Sequence, residues 1–292
     1  MAIAAGGAVS WTNSDSKPHQ PAPKGGPANA WLAQPIQPGQ KSPPVFIEFP
    51  NENPFVKYQD DLNPSIQGEI HPAPAHRWTF GGSDPVAQDL TGNIDGTISS
   101  TATRIEPGPP GQAGGIHLDG SENSKVTFPV PAGQFGTQNF SVALWMRTKE
   151  ILRYYDIVGN RTAGSHGIFL SLRMTGKHET QPPGQITAEV DQKGQNYIPV
   201  NSSKSGYNDG DWHHVAVVRN GALLKLYVDG APSASGNGSG VANIANGNPF
   251  ILGRSLVGVE VKFTPVADYG DLRLYNVALT DAQVQLIFKN TI

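Results

Sequence analysis

From Ala75 onward, apolar residues fall in short runs broken by Gly, Pro, Asn and Asp. That rhythm predicts twelve strands: 78–80, 96–99, 115–118, 125–130, 140–147, 155–160, 167–174, 185–190, 212–219, 223–228, 250–253 and 270–275. Short strands with turn residues between them predict a two-sheet antiparallel sandwich. The strongest local signal lies in Trp212–Arg219 and Leu223–Val228, joined at Asn220-Gly221. An Asn-Gly pair between apolar runs predicts a type I′ hairpin, with positive φ at both central residues. Odd and even positions of 212–218 are both apolar, which places that strand inside layered packing. The segments 176–184 and 233–240 read as flexible loops. One helix is predicted near the end: Thr280 and Gln283 form a capping box, and Val284, Ile287 and Phe288 share a face.

Residues 1–74 follow another pattern. They hold 13 of the 25 prolines, and proline disfavours both helix and central strand. Large apolar residues recur among them, which disordered tails usually lack. The expectation is an extended, Pro-rich docking arm preceding a domain of residues 75–292, with a floppy linker as the alternative. Trp11, Trp31, Phe46, Phe49, Phe55 and Tyr58 would be its anchors on a partner protein. Val45–Phe49 reads as one short strand within the arm.

Composition narrows the function classes. The 292 residues carry a net charge of −3 and show no basic cluster, which argues against nucleic-acid binding. There is no cysteine, so disulfides, thiolate metal sites and thiol catalysis are excluded. The first residues lack the basic start and apolar core of a secretory signal, and no stretch has the length of a membrane-spanning helix.

Several motifs carry a resemblance. Trp212-His213-His214-Val215-Ala216 with Leu226-Tyr227-Val228-Asp229-Gly230 resembles the signature of laminin G-like domains in the concanavalin A-like jelly-roll superfamily. The runs Phe140–Trp145, Phe250–Arg254 and Tyr269–Asn276 with Ala278-Leu279-Thr280 resemble further strands of that family, in its order. Trp78–Phe80, Asp89–Asn93 and Leu118–Gly120 resemble its opening strands. The likeness covers roughly residues 75–292. It implies an all-β jelly-roll sandwich with its first and last strands side by side.

The resemblance also implies chemistry to look for. Glucanases of the superfamily use E-x-D-x-x-E on one strand. The nearest match is Glu189-Val190-Asp191-Gln192-Lys193-Gly194, where glycine stands in place of the second glutamate. Retaining hydrolysis needs two carboxyl groups about 5 Å apart. Glycosidase activity is therefore not expected, and Glu189 and Asp191 read as exposed strand residues. Many members hold Ca²⁺, for which Asp89, Asp119, Asp268 and Asp271 are the oxygen-rich candidates, although Asp is also an ordinary turn residue. A glycan platform would need exposed aromatics, and Tyr154, Tyr155, Tyr197 and Tyr207, with His178, lie in or near loops. Trp145 and Trp212 read as core. His213 and His214 are adjacent in a strand, so they point to opposite faces and cannot share one ion.

The expectation is a non-enzymatic structural or attachment protein, its arm docked on a larger assembly and its lectin-like domain outward. A decoration, cement or fibre protein on the surface of a bacteriophage virion fits that description, with a capsid or other virion protein as partner and a homo-oligomer as one state. The alternative is an extracellular carbohydrate-binding module of a microbial surface or secreted protein.

Overall fold

A computed structural model describes residues 2–3, 7–27, 29–49, 55–83, 85–151, 155–161, 166–177, 180–254 and 264–290. The chain divides into two units, Met1–Pro74 with Ile292, and Ala75–Thr291.

The first unit holds six strands: β1 (Ala2–Ile3), β2 (Ala8–Val9), β3 (Pro21–Pro23), β4 (Val45–Phe46), β5 (Val56–Asp60) and β6 (Asn63–Pro72). Four of them form a sheet in the order β1-β6-β5-β3, and β2 pairs with β4. The prolines of β3 sit on an edge strand, where a missing N–H does least harm. These residues are therefore not an extended arm. Val9, Leu32, Ile36, Val45, Ile47 and Ile70 bury together, with Trp11, Trp31, Phe49 and Tyr58 packed against them. Trp11 and Trp31 stack at 5.5 Å, and Tyr58 meets the Trp11 ring edge-on at 5.8 Å. Spaced aromatics gain more by burying one another than by standing in water.

The second unit begins with β7 (His76–Trp78), β8 (Val86–Ala87), β9 (Gly96–Ile98), β10 (Thr103–Ile105), β11 (Gly115–Asp119), β12 (Val126–Phe128), β13 (Phe140–Thr148) and β14 (Tyr155–Gly159). It continues with β15 (Ile168–Met174), β16 (Ile186–Gln192), β17 (Gln195–Asn201), β18 (His213–Asn220), β19 (Leu223–Val228), β20 (Ala231–Asn237), β21 (Phe250–Leu252), β22 (Val266–Tyr275) and α1 (Asp281–Phe288). One sheet runs β10-β11-β22-β13-β18-β19-β20, with β7 added beside β22; the other runs β17-β16-β15-β14-β21-β12-β9-β8. Trp78 of β7 pairs with Leu272 of β22, so the first and last strands are neighbours as the resemblance implied. A shared apolar core includes Trp78, Phe128, Phe140, Leu144, Leu172, Val190, Val217 and Phe250. Each of the twelve predicted strands has a counterpart. The helix carries its capping box: Thr280 Oγ1 accepts from Gln283 N and Gln283 Oε1 accepts from Thr280 N.

Two local expectations change. The β18–β19 loop is Gly221-Ala222, because Asn220 still pairs with Leu223 and, of this turn, only Gly221 has positive φ, at 58°. The double positive φ belongs to the next turn: Asp229 at 51° and Gly230 at 75° connect β19 to β20. The Ser-rich segment 233–240 is a loop only at its end, since Ala231–Asn237 forms edge strand β20.

Candidate functional site

In β15 to β17, alternate residues enter the core: Leu170, Leu172 and Met174, then Ile186, Ala188 and Val190, then Ile198 and Val200. A strand's period of two sends the intervening residues to the opposite face. That outer face is mostly polar: Ser171 and Arg173 on β15, Thr187, Glu189 and Asp191 on β16, Tyr197 and Asn201 on β17, with Phe169 and Pro199 as its apolar members. The register sets Ser171 beside Glu189, Arg173 beside Thr187 and Thr187 beside Asn201. Asp156 of β14 extends the face, pairing with Arg173 in register.

The side chains are cross-bonded. Glu189 Oε1 accepts from Arg173 Nη2 at 2.7 Å and from Tyr197 Oη at 2.8 Å. Burial, then the Glu189 carboxylate, pushes the Tyr197 phenol well above its ordinary pKa, so it stays a hydroxyl donor. Asp191 Oδ2 lies 2.9 Å from His166 Nδ1, and its Oδ1 accepts from Gly194 N at 2.6 Å. His166 meets Tyr197 edge to face at 5.3 Å, and its side chain is 56% exposed. Asp156 Oδ1 accepts from Ser171 Oγ at 2.6 Å, while its Oδ2 is buried with no hydrogen-bond partner among the described residues.

Glu189 and Asp191 were expected to be exposed; they are 4% and 0% accessible. Alternation shows that one face of β15 and β16 is polar, but sequence does not reveal that its carboxylates are buried among bonded neighbours, with Tyr197 half-buried and His166 exposed at the rim. His166, outside any strand, is held by Asp191. Gly194 has a conformational role: Lys193 at φ 53° and Gly194 at φ 80° make the tight turn from β16 to β17. The position where the glucanase motif has its second glutamate is therefore in a turn, off the sheet.

The other candidates scatter. Tyr155 belongs to the core, its hydroxyl donating to Met174 Sδ at 3.0 Å, so it cannot meet a glycan. Tyr154 and His178 lie outside the described residues. Tyr207 packs partly on the core and meets His213 edge-on at 5.1 Å. His213 and His214 do face opposite ways: His213 contacts Asp229 and Asp209, whereas buried His214 packs on Trp145 and Phe288. Trp212 is half-buried just outside β18, with the Arg147 guanidinium 4.8 Å over its ring, and is not a core residue.

The four aspartates do not converge. Asp89 caps its own loop, accepting from the backbone N–H groups of Arg77, Gly92 and Ile94 and contacting His76 at 2.6 Å. Burial opposes its ionisation, but those hydrogen bonds hold its pKa below the ordinary value. Asp119 accepts from Ser121 N in a turn. Asp268 pairs with His117 at 2.6 Å and Arg147 at 2.6 Å. Asp271 pairs with Arg77 at 2.7 Å and Arg273 at 2.7 Å; burial opposes its ionisation and the two guanidiniums outweigh it. No group of three or more His, Asp or Glu side chains poised for a metal occurs among the described residues.

Of the six anchors, Trp11, Trp31, Phe49 and Tyr58 turn inward and Phe55 packs on His71 at 5.2 Å. Phe46 stands 73% exposed.

Residues 119–285 match the family model for laminin G-type domains of the concanavalin A-like lectin/glucanases superfamily. No curated protein sequence matches the chain. The binding domain of Paraclostridial Mosquitocidal Protein 1 is similar at a TM-score of 0.60 and 17% identity, over 75% of this chain and 52% of that one. Domain 4 of AbnA, a GH43 extracellular arabinanase from Geobacillus stearothermophilus solved with arabinotriose, gives 0.58 and 19% over 73% of this chain and 97% of that one. The botulinum neurotoxin serotype G binding domain gives 0.56 and 15% over 75% and 51%. The chain thus spans about half the length of the two toxin binding domains. At these identities the likeness is one of fold. With the family model covering more than half of its length, the chain belongs to the concanavalin A-like lectin/glucanase superfamily.

Proposed function

We propose that this chain is a non-enzymatic glycan-binding protein and that its ligand meets the polar outer face of β14–β17. The observation that carries the reading is the bonded set Arg173–Glu189–Tyr197, with His166 and Tyr197 as an edge-to-face pair at its open side. Fixed donors and acceptors beside an aromatic suit a sugar, which offers hydroxyls and an apolar ring face, and preorganisation lowers the entropy lost on binding. A structural neighbour solved with arabinotriose supports the ligand class. The absence of hydrolysis is supported by Gly194, which supplies no carboxyl, and by Asp191, whose oxygens are engaged by His166 and Gly194.

The test is calorimetric titration of the full chain with arabinotriose, then with glucan, xylan and mannan trisaccharides. One of them should bind, and Tyr197→Ala should weaken it at least tenfold, roughly the loss of one stacked, hydrogen-bonded aromatic. Binding by none, or unchanged binding in the variant, contradicts the proposal.

A second reading is attachment: the first unit would dock on a larger assembly such as a virion while the jelly roll faces outward. Phe46, Leu62 and Ile66 favour it, three large apolar side chains exposed on that unit. Light scattering of the full chain and of Phe46→Ser tests its self-association form; equal masses would remove that support.

A further inference from the structure

The first unit contains a pocket of about 220 Å³, independent of the glycan reading. Its apolar walls are Trp11, Pro21, Ile36, Tyr58 and Ile66, and its titratable groups are Asp15, His19 and Asp60. Among the described residues, no lysine or arginine lines it. It is smaller than the ~300–1,000 Å³ of sites for drug-sized ligands, so it suits one short chain or ring.

The charge pattern selects the ligand. His19 Nδ1 contacts Asp60 Oδ2, and His19 Nε2 lies 3.1 Å from Asp15 Oδ2. An imidazole whose two nitrogens both face carboxylates is satisfied at both only as the doubly protonated cation. Two carboxylates and one imidazolium leave a single uncompensated negative charge. Asp60 is buried and also accepts from Gln20 N and Leu62 N, so it is spent within the unit. Asp15 is bonded too, its Oδ1 accepting from Ser16 N at 2.5 Å and its Oδ2 meeting His19, but its side chain is 51% exposed at the pocket, so its charge stays open to a ligand.

We infer that this pocket takes a primary ammonium carried on an apolar stem. The ammonium would meet Asp15 in a charge-assisted hydrogen bond while the stem lies along Ile66, Ile36 and the Trp11 and Tyr58 rings. An anion would face two carboxylates. A neutral ligand would leave the net charge unmatched.

Titration of the full chain followed by tryptophan fluorescence tests this with two probes, cadaverine and Nα-acetyl-lysine methylamide. The first stands for a free amine and the second for a lysine within a protein. At least one should bind at millimolar concentration, and the better binder identifies the source. The Nζ-acetylated lysine analogue should not bind. Asp15→Asn keeps an acceptor for His19 while removing the charge, and should weaken binding at least about tenfold. Ile66→Lys, at an exposed position, should abolish it by supplying its own ammonium. Tyr197→Ala should leave it unchanged, which separates this site from the glycan face. Silence from both probes, equal response to the acetylated analogue, or undiminished binding by Asp15→Asn would overturn the inference.

Discussion

The two units hold themselves together by different means. In the second, strands of up to ten residues pair along two sheets and close on a continuous apolar core. In the first, four of the six strands are only two or three residues long and six buried apolar residues form the centre. Side chains there do the work that ladders do elsewhere. Asn13 Nδ2 donates to Lys17 O and Ile36 O, Gln20 Nε2 donates to Leu32 O, and Asp60 gathers Gln20 N and Leu62 N. A small unit buries a smaller fraction of its surface and depends more on each such contact. It should therefore unfold in a separate transition at lower denaturant.

That contrast can be broken most sharply in the second unit. Asp271→Ala leaves the buried Arg273 guanidinium without its carboxylate, and losing one partner of a buried pair costs about 3–5 kcal/mol. Denaturant unfolding should show this loss in the second transition with the first unmoved. A fall in both would refute separate folding.

Acid should give the next largest effect, also in the second unit. Burial, then the nearby Arg273 charge, lowers His214 to a pKa of about 4 from its ordinary 6.5. The native state holds it neutral, so the unfolded state takes up the proton first. Stability should fall as pH drops from about 6.5 to about 4, by up to about 3 kcal/mol. His214→Gln should flatten that dependence. His213 works in the opposite sense, because Asp229 raises its pKa, so the comparison is parent against variant at each pH. An unchanged slope in His214→Gln would refute the assignment.

Trp11→Ala should cost about 2 kcal/mol, less than a fully buried tryptophan, and only in the first transition. Phe46→Ser should change neither by more than about 0.5 kcal/mol, since a side chain 73% exposed gives little to folding. A large loss there would mean that Phe46 is a packing residue.

What could be read in advance follows the same division. In the second unit, local pattern and long-range pairing agree, so the strands and the Thr280–Gln283 capping box were legible. Strand β17 was not, because Asn196 and Pro199 interrupt its apolar pattern and pairing with β16 supplies the order. Strand β20 reads as loop for the same reason, since its Ser, Gly and Asn residues gain order from β19. In the first unit, thirteen prolines signalled extension, and the mutual burial of Trp11, Trp31 and Tyr58 depends on contacts with no sequence period. At the site, Glu189 and Asp191 drew notice through the resemblance. Their partners Arg173, Tyr197 and His166 come from other strands and a loop, which spacing along the chain does not bring together.

We propose that the outer face of β14–β17 binds a glycan. Hydrogen–deuterium exchange of the full chain, with and without saturating arabinotriose or whichever trisaccharide binds, tests it most directly. Exchange should slow at the peptides spanning residues 168–201 and remain unchanged in residues 1–74. Protection confined to the first unit, or absent from 168–201, would contradict it.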